Sequence, residues 1–352
     1  MKRPVMKKQL VRISVLILVL ALTGCAFTPS FRDAAGKLPP QSIAALEKHT
    51  LGGMEQWLLI RGQDTRNPVL LWLHGGPGAA QMPIARRTTG ALEADYVMVH
   101  WDQRGAGKSN PRSFDTRTMT VEQYLTDAHE LTVYLKQRFH KQKIVLLGHS
   151  WGSQLGLLLA AAYPEDYAAY VGLGQLINPR EGPEIAYAWL KAKLAAEGKS
   201  KELKRLAEIG PPPYAEHDRY VSFILMVDAQ GGSFDCGMGR LARMALGAPE
   251  YRGGDYLRWL RGSNRGSGPM WEATQTFDAL AQVPALDIPV YFFNGRHDYN
   301  TPLALVKDYY FSLEAPAGKE LVVFEHSAHT PFIAEPEKFI RELRRVREEI
   351  GD

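Results

Sequence analysis

The chain has 352 residues, of which 45% are hydrophobic and 23% are charged, and this composition excludes a disordered tail, a collagen-like repeat and a disulfide scaffold. Its formal charge of +4 arises in the first 24 residues, which carry five basic side chains and no acid; removing these five from 42 leaves 37 basic against 38 acidic side chains. The remaining chain is therefore not basic, and the sequence excludes nucleic acid as a partner.

Residues 1–24 are typical of a signal peptide, because basic residues precede an apolar run, Ile13–Leu22, that is shorter than the roughly 20 residues of a membrane span. The run ends in Leu22-Thr23-Gly24-Cys25, which resembles a bacterial lipobox and implies lipidation of Cys25. We expect a lipid-anchored protein of the bacterial cell envelope, and Ala26 favours the outer membrane, facing the periplasm. An ordinary secretory signal and an uncleaved anchor remain alternatives.

The next segments predict a linker followed by a hairpin. Residues 25–46 contain three prolines and little hydrophobic pattern, so we expect a linker between the lipid and the folded domain. Residues around Thr50 and Gln56–Arg61 flank the glycine pair Gly52-Gly53 and predict an antiparallel hairpin.

Five apolar runs without a polar face predict strands that helices cover on both sides. The runs are Val69–Leu73, Tyr96–Val99, Ile144–Leu147, Val290–Phe293 and Leu321–Phe324. Stretches with helical spacing lie between or after them, at residues 121–139, 154–162, 302–311 and 336–350. The alternation predicts an α/β fold with a mostly parallel wound sheet.

About 110 residues interrupt this order and predict a helical cap, residues 175–284, inserted after the sixth strand. Five helical patterns occur there, at residues 183–197, 201–209, 217–228, 240–246 and 251–260. The core of the domain would then comprise residues 47–174 and 285–352.

The third apolar run leads directly into Gly148-His149-Ser150-Trp151-Gly152, and a helical pattern follows. A strand, G-x-S-x-G and a helix in this order predict a nucleophile elbow, a tight turn that exposes the hydroxyl of Ser150. The alternative interpretation is a glycine-rich turn with an incidental serine.

A serine nucleophile needs a base and an orienting acid, and in this type of fold they follow in the order acid, then histidine. Asp298 follows the strand Val290–Phe293, and His329 follows the strand Leu321–Phe324. His326 is the rival base. We favour His329 because it lies further from the strand end and can reach back to the serine.

The developing oxyanion of such a reaction needs fixed N–H donors. The amide of Trp151 follows the nucleophile, and Gly76 in the loop His74-Gly75-Gly76-Pro77-Gly78 is the predicted second donor. The predicted chemistry requires no metal ion and no other cofactor.

Four motifs together resemble the proline iminopeptidase family of α/β hydrolases: H-G-G-P-G, D-Q-R-G-A-G-K-S at residues 102–109, G-H-S-W-G and G-R-H-D-Y-N-T-P at residues 295–302. The resemblance covers roughly residues 50–174 and 285–352. It implies catalytic roles for Ser150, Asp298 and His329, oxyanion roles for Gly76 and Trp151, and a bracing role for residues 102–109. It does not extend through the cap, so no amine-binding residue is carried over.

We therefore expect a serine hydrolase that acts on a small peptide or ester, most consistent with cleavage of N-terminal residues, proline or another small residue, from short peptides. A carboxylesterase or lipase-like enzyme is the alternative. A binding lipoprotein that keeps the fold without turnover is a hypothesis of another class.

Overall fold

The structure, a computed structural model, describes residues 26–265 and 267–351. The predicted signal peptide and Cys25 lie outside these residues. Within the described ranges, no helix is both long and apolar enough to span a membrane.

Eight strands form a single sheet. They are β1 (Ile43–Leu51), β2 (Met54–Gly62), β3 (Val69–Leu73), β4 (Val97–Asp102), β5 (Ile144–His149), β6 (Tyr167–Leu173), β7 (Val290–Gly295) and β8 (Lys319–Phe324). Their order is β1-β2-β4-β3-β5-β6-β7-β8. Strand β2 pairs antiparallel with β1 and with β4, whereas every other neighbouring pair is parallel. This arrangement confirms the predicted α/β fold with a mostly parallel sheet.

All five apolar runs form strands, and the predicted hairpin is the β1–β2 pair with Gly52 and Gly53 at its turn. Strand β6 was not among the runs, because alanine and glycine interrupt its aliphatic and aromatic residues. The predicted linker was too long. Strand β1 begins at Ile43, inside the range 25–46, because its half-buried residues pair along the whole of β2 rather than forming an apolar run.

Part of the predicted linker also packs against the folded body. The guanidinium of Arg61 in β2 donates to the Thr28 hydroxyl at 2.6 Å and the Pro29 carbonyl at 2.7 Å, and it lies 4.7 Å from the ring centre of Phe31. The Phe27 amide donates to the carbonyl of Pro249 at 3.0 Å. Residues 27–31 therefore lie on the domain rather than extending away from it.

Helices flank the sheet and fill the insertion. In chain order they are α1 (Met82–Thr88), α2 (Val121–Phe139), α3 (Trp151–Ala162), α4 (Glu181–Ala196), α5 (Ser200–Ile209), α6 (His217–Ala229), α7 (Gly237–Ala245), α8 (Gly253–Arg265), α9 (Trp271–Thr274), α10 (Ala279–Gln282), α11 (Leu303–Ser312), α12 (Pro331–Ala334) and α13 (Pro336–Ile350). The five helical patterns predicted between β6 and β7 correspond to α4–α8.

Two apolar layers cover the two faces of the sheet. Helices α2, α3 and α11 pack on one face, with Tyr124, Leu155 and Tyr309 fully buried. Helices α1 and α13 pack on the other face, where Phe339 and Leu343 are fully buried. A third apolar cluster joins α4, α5 and α6, so the insertion has a small core of its own.

The buried histidine of β4 makes the stability of the fold depend on pH. Burial lowers the pKa of His100 to about 3, so the folded protein keeps this imidazole neutral, whereas the unfolded chain binds a proton below about pH 6.5. The free energy of unfolding therefore loses a contribution from His100 as the pH falls from 6.5 towards 4. In urea denaturation between pH 8 and 4.5, the variant His100→Gln should lose stability less steeply, by up to about 1.4 kcal/mol per pH unit. Equal slopes for the two proteins would contradict the neutral histidine.

Candidate active site

Ser150 occupies the turn between β5 and α3. Its backbone has φ 57° and ψ −124°, a conformation that residues other than glycine rarely adopt. The amide of Ser150 donates to the carbonyl of Leu173 at the end of β6, at 3.0 Å, which fixes the strained turn. The side chain lines a cavity at the carboxyl edge of the sheet.

The two glycines of the G-x-S-x-G motif allow this turn to pack closely. A Cβ atom on Gly148 would lie 2.2 Å from the Gly152 carbonyl oxygen, and one on Gly152 would lie 2.2 Å from the carbonyl oxygen of Leu73 in β3. These distances are far inside van der Waals contact. No side chain fits at either position, which explains the motif in steric terms.

The structure brings Asp298 and His329 into direct contact. Asp298 follows β7, His329 follows β8, and Nδ1 of the imidazole lies 2.8 Å from Oδ2 of the carboxylate. The Thr301 hydroxyl donates to the same oxygen at 2.8 Å, while the amides of Asn300 and Thr301 donate to Oδ1 at 2.8 and 2.9 Å. Both oxygens of this buried carboxylate are therefore hydrogen-bonded, and Nδ1 is the protonated nitrogen of the imidazole.

The other nitrogen of His329, Nε2, is buried and has no hydrogen-bond partner in the described ranges. Ser150 and His329 line the same cavity, but the serine hydroxyl does not hydrogen-bond to Nε2 in this structure. The rival histidine, His326, has an exposed side chain, and its amide donates to Glu335 at 2.8 Å. His329, rather than His326, contacts the predicted acid.

A glycine that the sequence analysis did not single out makes room for the imidazole. Gly174, which directly follows β6, has φ 53°, and a Cβ atom there would lie 3.0 Å from both Nδ1 and Cε1 of His329. A side chain at this position would therefore displace the imidazole or Thr301. Gly174 directly follows a strand, and ligands bind at that edge of open parallel sheets. This position is the signal by which the sequence could have indicated Gly174 as a residue of the site.

The loop after β3 is positioned by a neutral histidine. Burial lowers the pKa of His74 to about 4. Its Nε2 accepts from the Gln103 amide at 3.2 Å, so Nδ1 carries the proton and donates to the Gly75 carbonyl at 2.8 Å. Gln103 also donates to the His74 carbonyl at 3.1 Å and accepts from the Trp151 indole at 3.4 Å. Gln103 thus joins this loop to the turn of the predicted nucleophile.

The two predicted oxyanion donors lie on the same cavity. Gly76, with φ 118°, and Trp151, the first residue of α3, both line it together with Ser150. Their backbone amides donate to no acceptor in the part of the chain that the structure describes. An N–H group in the first turn of a helix has no partner within that helix, so it remains free for a ligand.

The motif at residues 102–109 links the site to helix α2 and to the insertion. Arg104 forms a buried bidentate pair with Asp127 of α2, at 2.8 and 2.9 Å. Lys108 reaches Asp255 of α8 at 2.7 Å. The predicted bracing role of the motif therefore has a structural basis in two ion pairs.

Asp235, in the turn before α7, holds the segment on both sides of His329. Its carboxylate accepts from the Ser327 hydroxyl at 2.9 Å, the Ala328 amide at 2.6 Å, and both the amide and hydroxyl of Thr330 at 2.9 Å. Four donors on one carboxylate make a strong attachment. The insertion therefore holds the histidine loop through a residue that the sequence analysis did not identify.

The same turn holds the backbone of His329 and the loop of Asp298. The carbonyl of Ser233 accepts from the His329 amide at 2.8 Å, and the carbonyl of Gly232 accepts from the Tyr299 amide at 2.8 Å. The ring of Tyr299 also stacks on Trp189 of α4, with ring centres 3.9 Å apart. The imidazole and the carboxylate are thus both supported from the insertion.

The cavity between the sheet edge and the insertion has a volume of about 420 Å³. Aliphatic and aromatic side chains form most of its wall. They include Ile84, Val221, Ile224, Leu241, Trp259, Trp271, Leu305 and Phe332. Its size and apolar wall are typical of a site for a small organic molecule.

We expect Asp235 to control the reactivity of Ser150 through His329. Asp235→Asn replaces one acceptor oxygen by an NH₂ group, which faces donors and loosens the histidine loop. The maximal rate of fluorophosphonate labelling at Ser150 should fall by about 10- to 100-fold, while the reagent concentration for half-maximal rate stays nearly constant.

Glu325→Gln serves as the matched control, because Glu325 is an exposed carboxylate on the same loop that pairs with Arg296. It should label at the normal rate. If Asp235→Asn labels normally at an unchanged melting temperature, Asp235 does not position His329.

Comparison with known proteins identifies the family. The family "Serine aminopeptidase, S33" matches residues 69–219. A Bacillus subtilis protein named "Probable aminopeptidase YbaC" is 34% identical over 310 residues, covering 87% of this chain and 96% of that protein. The proline iminopeptidase of Heyndrickxia coagulans is 27% identical over 287 residues, covering 78% and 88%. The crystal structure of proline iminopeptidase from Mycobacterium smegmatis has a TM-score of 0.66 at 19% identity, covering 87% and 98%. The chain is a hydrolase and belongs to the serine aminopeptidase (S33) family of α/β hydrolases.

Proposed function

We propose that this hydrolase cleaves its substrate through an acyl-enzyme on Ser150, with His329 as the base and Asp298 as the orienting acid. The observation that carries the proposal is the buried 2.8 Å contact between His329 Nδ1 and Asp298 Oδ2, because it holds the proton of a neutral imidazole on Nδ1 and leaves Nε2, which has no other described partner, as the acceptor. An acceptor nitrogen that shares a cavity with a serine at a nucleophile elbow is the group that such a reaction requires. Hydrogen bonds between nucleophile and base are often long without substrate and shorten in the complex.

In the proposed mechanism, Nε2 of His329 takes the proton of the Ser150 hydroxyl as its oxygen attacks the substrate carbonyl carbon. The amides of Gly76 and Trp151 donate to the oxyanion of the tetrahedral intermediate. The imidazolium then protonates the leaving group, and water activated by the same imidazole releases the acyl group from Ser150. Asp298 stays ionised throughout and stabilises the imidazolium.

The relatives favour a peptide as the substrate, since they are named aminopeptidases and proline iminopeptidases. Cleavage of N-terminal residues from short peptides is the first candidate on the strength of these names, and an apolar cavity of about 420 Å³ has room for the side chain of proline or another small residue. The wall of the cavity favours the second candidate, an esterase acting on apolar acyl groups. A purely binding protein without turnover receives no support from the family.

We also propose that the chain is a lipoprotein of the cell envelope, anchored through Cys25, on the basis of the basic residues, the apolar run and the lipobox-like segment. Each buried methylene contributes about 0.8 kcal/mol, so two or three acyl chains would anchor the enzyme firmly.

A fluorophosphonate tests the nucleophile directly. The full-length protein should be labelled at Ser150, and Ser150→Ala should abolish labelling and hydrolysis, because no other hydroxyl replaces the one at the elbow. Labelling is measured by intact mass and by mapping of the modified peptide.

Asp298→Asn is the matching variant for the acid. It retains the serine and the fold but should lower turnover by on the order of 10⁴, because it favours the wrong tautomer of His329. Full activity in this variant would show that another group acts as the acid, and an unlabelled, folded wild-type protein would remove the serine mechanism.

The anchor is tested by Cys25→Ser. Expressed with its complete N-terminus in a bacterium, the wild-type protein should fractionate with membranes and incorporate labelled palmitate, whereas the variant should incorporate none. Incorporation by the variant would mean that Cys25 is not the acylated residue.

A further inference from the structure

The described part of the cavity wall is uncharged. None of the described residues that line it is Asp, Glu, Lys or Arg. Its polar groups are neutral amides, hydroxyls and imidazoles, among them Gln175, Asn178, His217, Tyr220, Gln275 and Asn300. Residues 263–266, whose side chains are not described, have the sequence Ser-Asn-Arg-Gly and therefore add no carboxylate.

The acids nearest in sequence to the wall are already engaged or point to solvent. The carboxylate of Asp298 accepts from Asn300, Thr301 and His329. Asp235, next to Phe234, accepts four hydrogen bonds from the histidine loop. The other acids directly adjacent to lining residues are exposed: Glu181, Glu184, Glu216, Asp218 and Glu272. None of these carboxylates lines the cavity.

A peptide with a free N-terminus would bring a positive charge into this cavity. The amine is attached to the carbon next to the carbonyl, so it lies about 2.5 Å from the carbon that Ser150 attacks. Its pKa of about 8 keeps it largely protonated at neutral pH. An ammonium in an apolar cavity is strongly disfavoured without an anionic partner, and the described residues of this wall offer none.

The wall offers a hydrogen-bond donor to a carbonyl group of a capped substrate. Tyr220 of α6 donates its hydroxyl hydrogen to Oδ1 of Asn300 at 3.1 Å, and both residues line the cavity. That contact uses one of the two lone pairs of Oδ1 and leaves the NH₂ group of Asn300 as a donor. A donor suits an amide or ester carbonyl, whereas an ammonium needs an acceptor.

We propose that this cavity selects uncharged acyl groups, namely residues whose amine is capped as an amide and simple apolar acyl esters, and discriminates against a free N-terminal amine. The proposal rests on the proposed acyl-enzyme mechanism at Ser150. It differs from the activity that the names of the relatives suggest, because it is derived from the wall of this cavity.

The test compares proline p-nitroanilide with N-acetylproline p-nitroanilide, and p-nitrophenyl butyrate as an ester, on the full-length protein in detergent. We expect kcat/KM to be at least 10-fold higher for the capped anilide than for the free one. The kcat/KM for proline p-nitroanilide should rise as the pH passes about 8, because its amine loses its charge. The kcat/KM for N-acetylproline p-nitroanilide and for the ester should show no rise in that pH range.

A single substitution should reverse the preference. Gln275 lines the cavity, and Gln275→Glu adds a carboxylate of nearly the same shape. It should raise the ratio of free to capped kcat/KM at least 10-fold at pH 7. Gln282→Glu is the matched control, because Gln282 is exposed at the end of α10 and does not line the cavity, and it should leave the ratio unchanged.

Protection of Ser150 from a fluorophosphonate provides a readout even without cleavage of either anilide. N-acetylproline methyl ester should protect at lower concentration than proline methyl ester. The proposal is overturned if the enzyme cleaves the free anilide in preference to the capped one, or if proline methyl ester protects Ser150 as well as or better than N-acetylproline methyl ester. In either case, labelling of Ser150 would still support the serine mechanism. Absence of labelling at Ser150 instead overturns the mechanism.

Discussion

The close approach of three backbone segments around Ser150 is the constraint on which the site depends. Strand β5, helix α3 and the end of β3 come so near that a Cβ atom at Gly148 or Gly152 would overlap a carbonyl oxygen. This packing forces Ser150 into a positive φ and holds its hydroxyl at the rim of the sheet. The neighbouring strands are parallel, so the loops after β3, β6, β7 and β8 meet at the same rim and can all contribute to one site.

The insertion has two roles that a lid alone would not have. It forms the apolar wall of the cavity through α6, α8 and α9, and it also supports the histidine and the acid through residues 232–235. The support consists of hydrogen bonds to backbone amides and short side chains, which have little freedom to rearrange. The wall of the cavity and the position of the imidazole therefore both depend on the insertion.

Much of the fold and of the site was predictable because its signals are local. Apolar runs indicated five strands, and the glycine spacing around Ser150, with Asp298 and His329 after later strands, indicated which side chains would gather. Strand β6 was not predicted because alanine and glycine interrupt its apolar residues. The start of β1 was not predicted because an edge strand of half-buried residues has no apolar run.

Contacts between distant parts of the chain explain the remaining omissions. Asp235 and Ala328 are separated by 93 positions, and an aspartate in a turn gives no sign of the loop it will hold. Gly174 matters because of the imidazole that reaches it from β8, 155 positions further along the chain. The absence of a charged wall is likewise a property of the assembled cavity rather than of any segment.

The turn formed by residues 232–235 has a consequence for any exchange of the insertion in this protein. A helical insertion is a convenient unit to exchange between related enzymes, because it has its own small core. Here the exchange would remove the anchor of the histidine loop together with the old wall of the cavity. Replacements within α6, α8 and α9 would alter the wall and leave the four hydrogen bonds of Asp235 in place, whereas an exchanged insertion would keep these bonds only with a carboxylate at the same position.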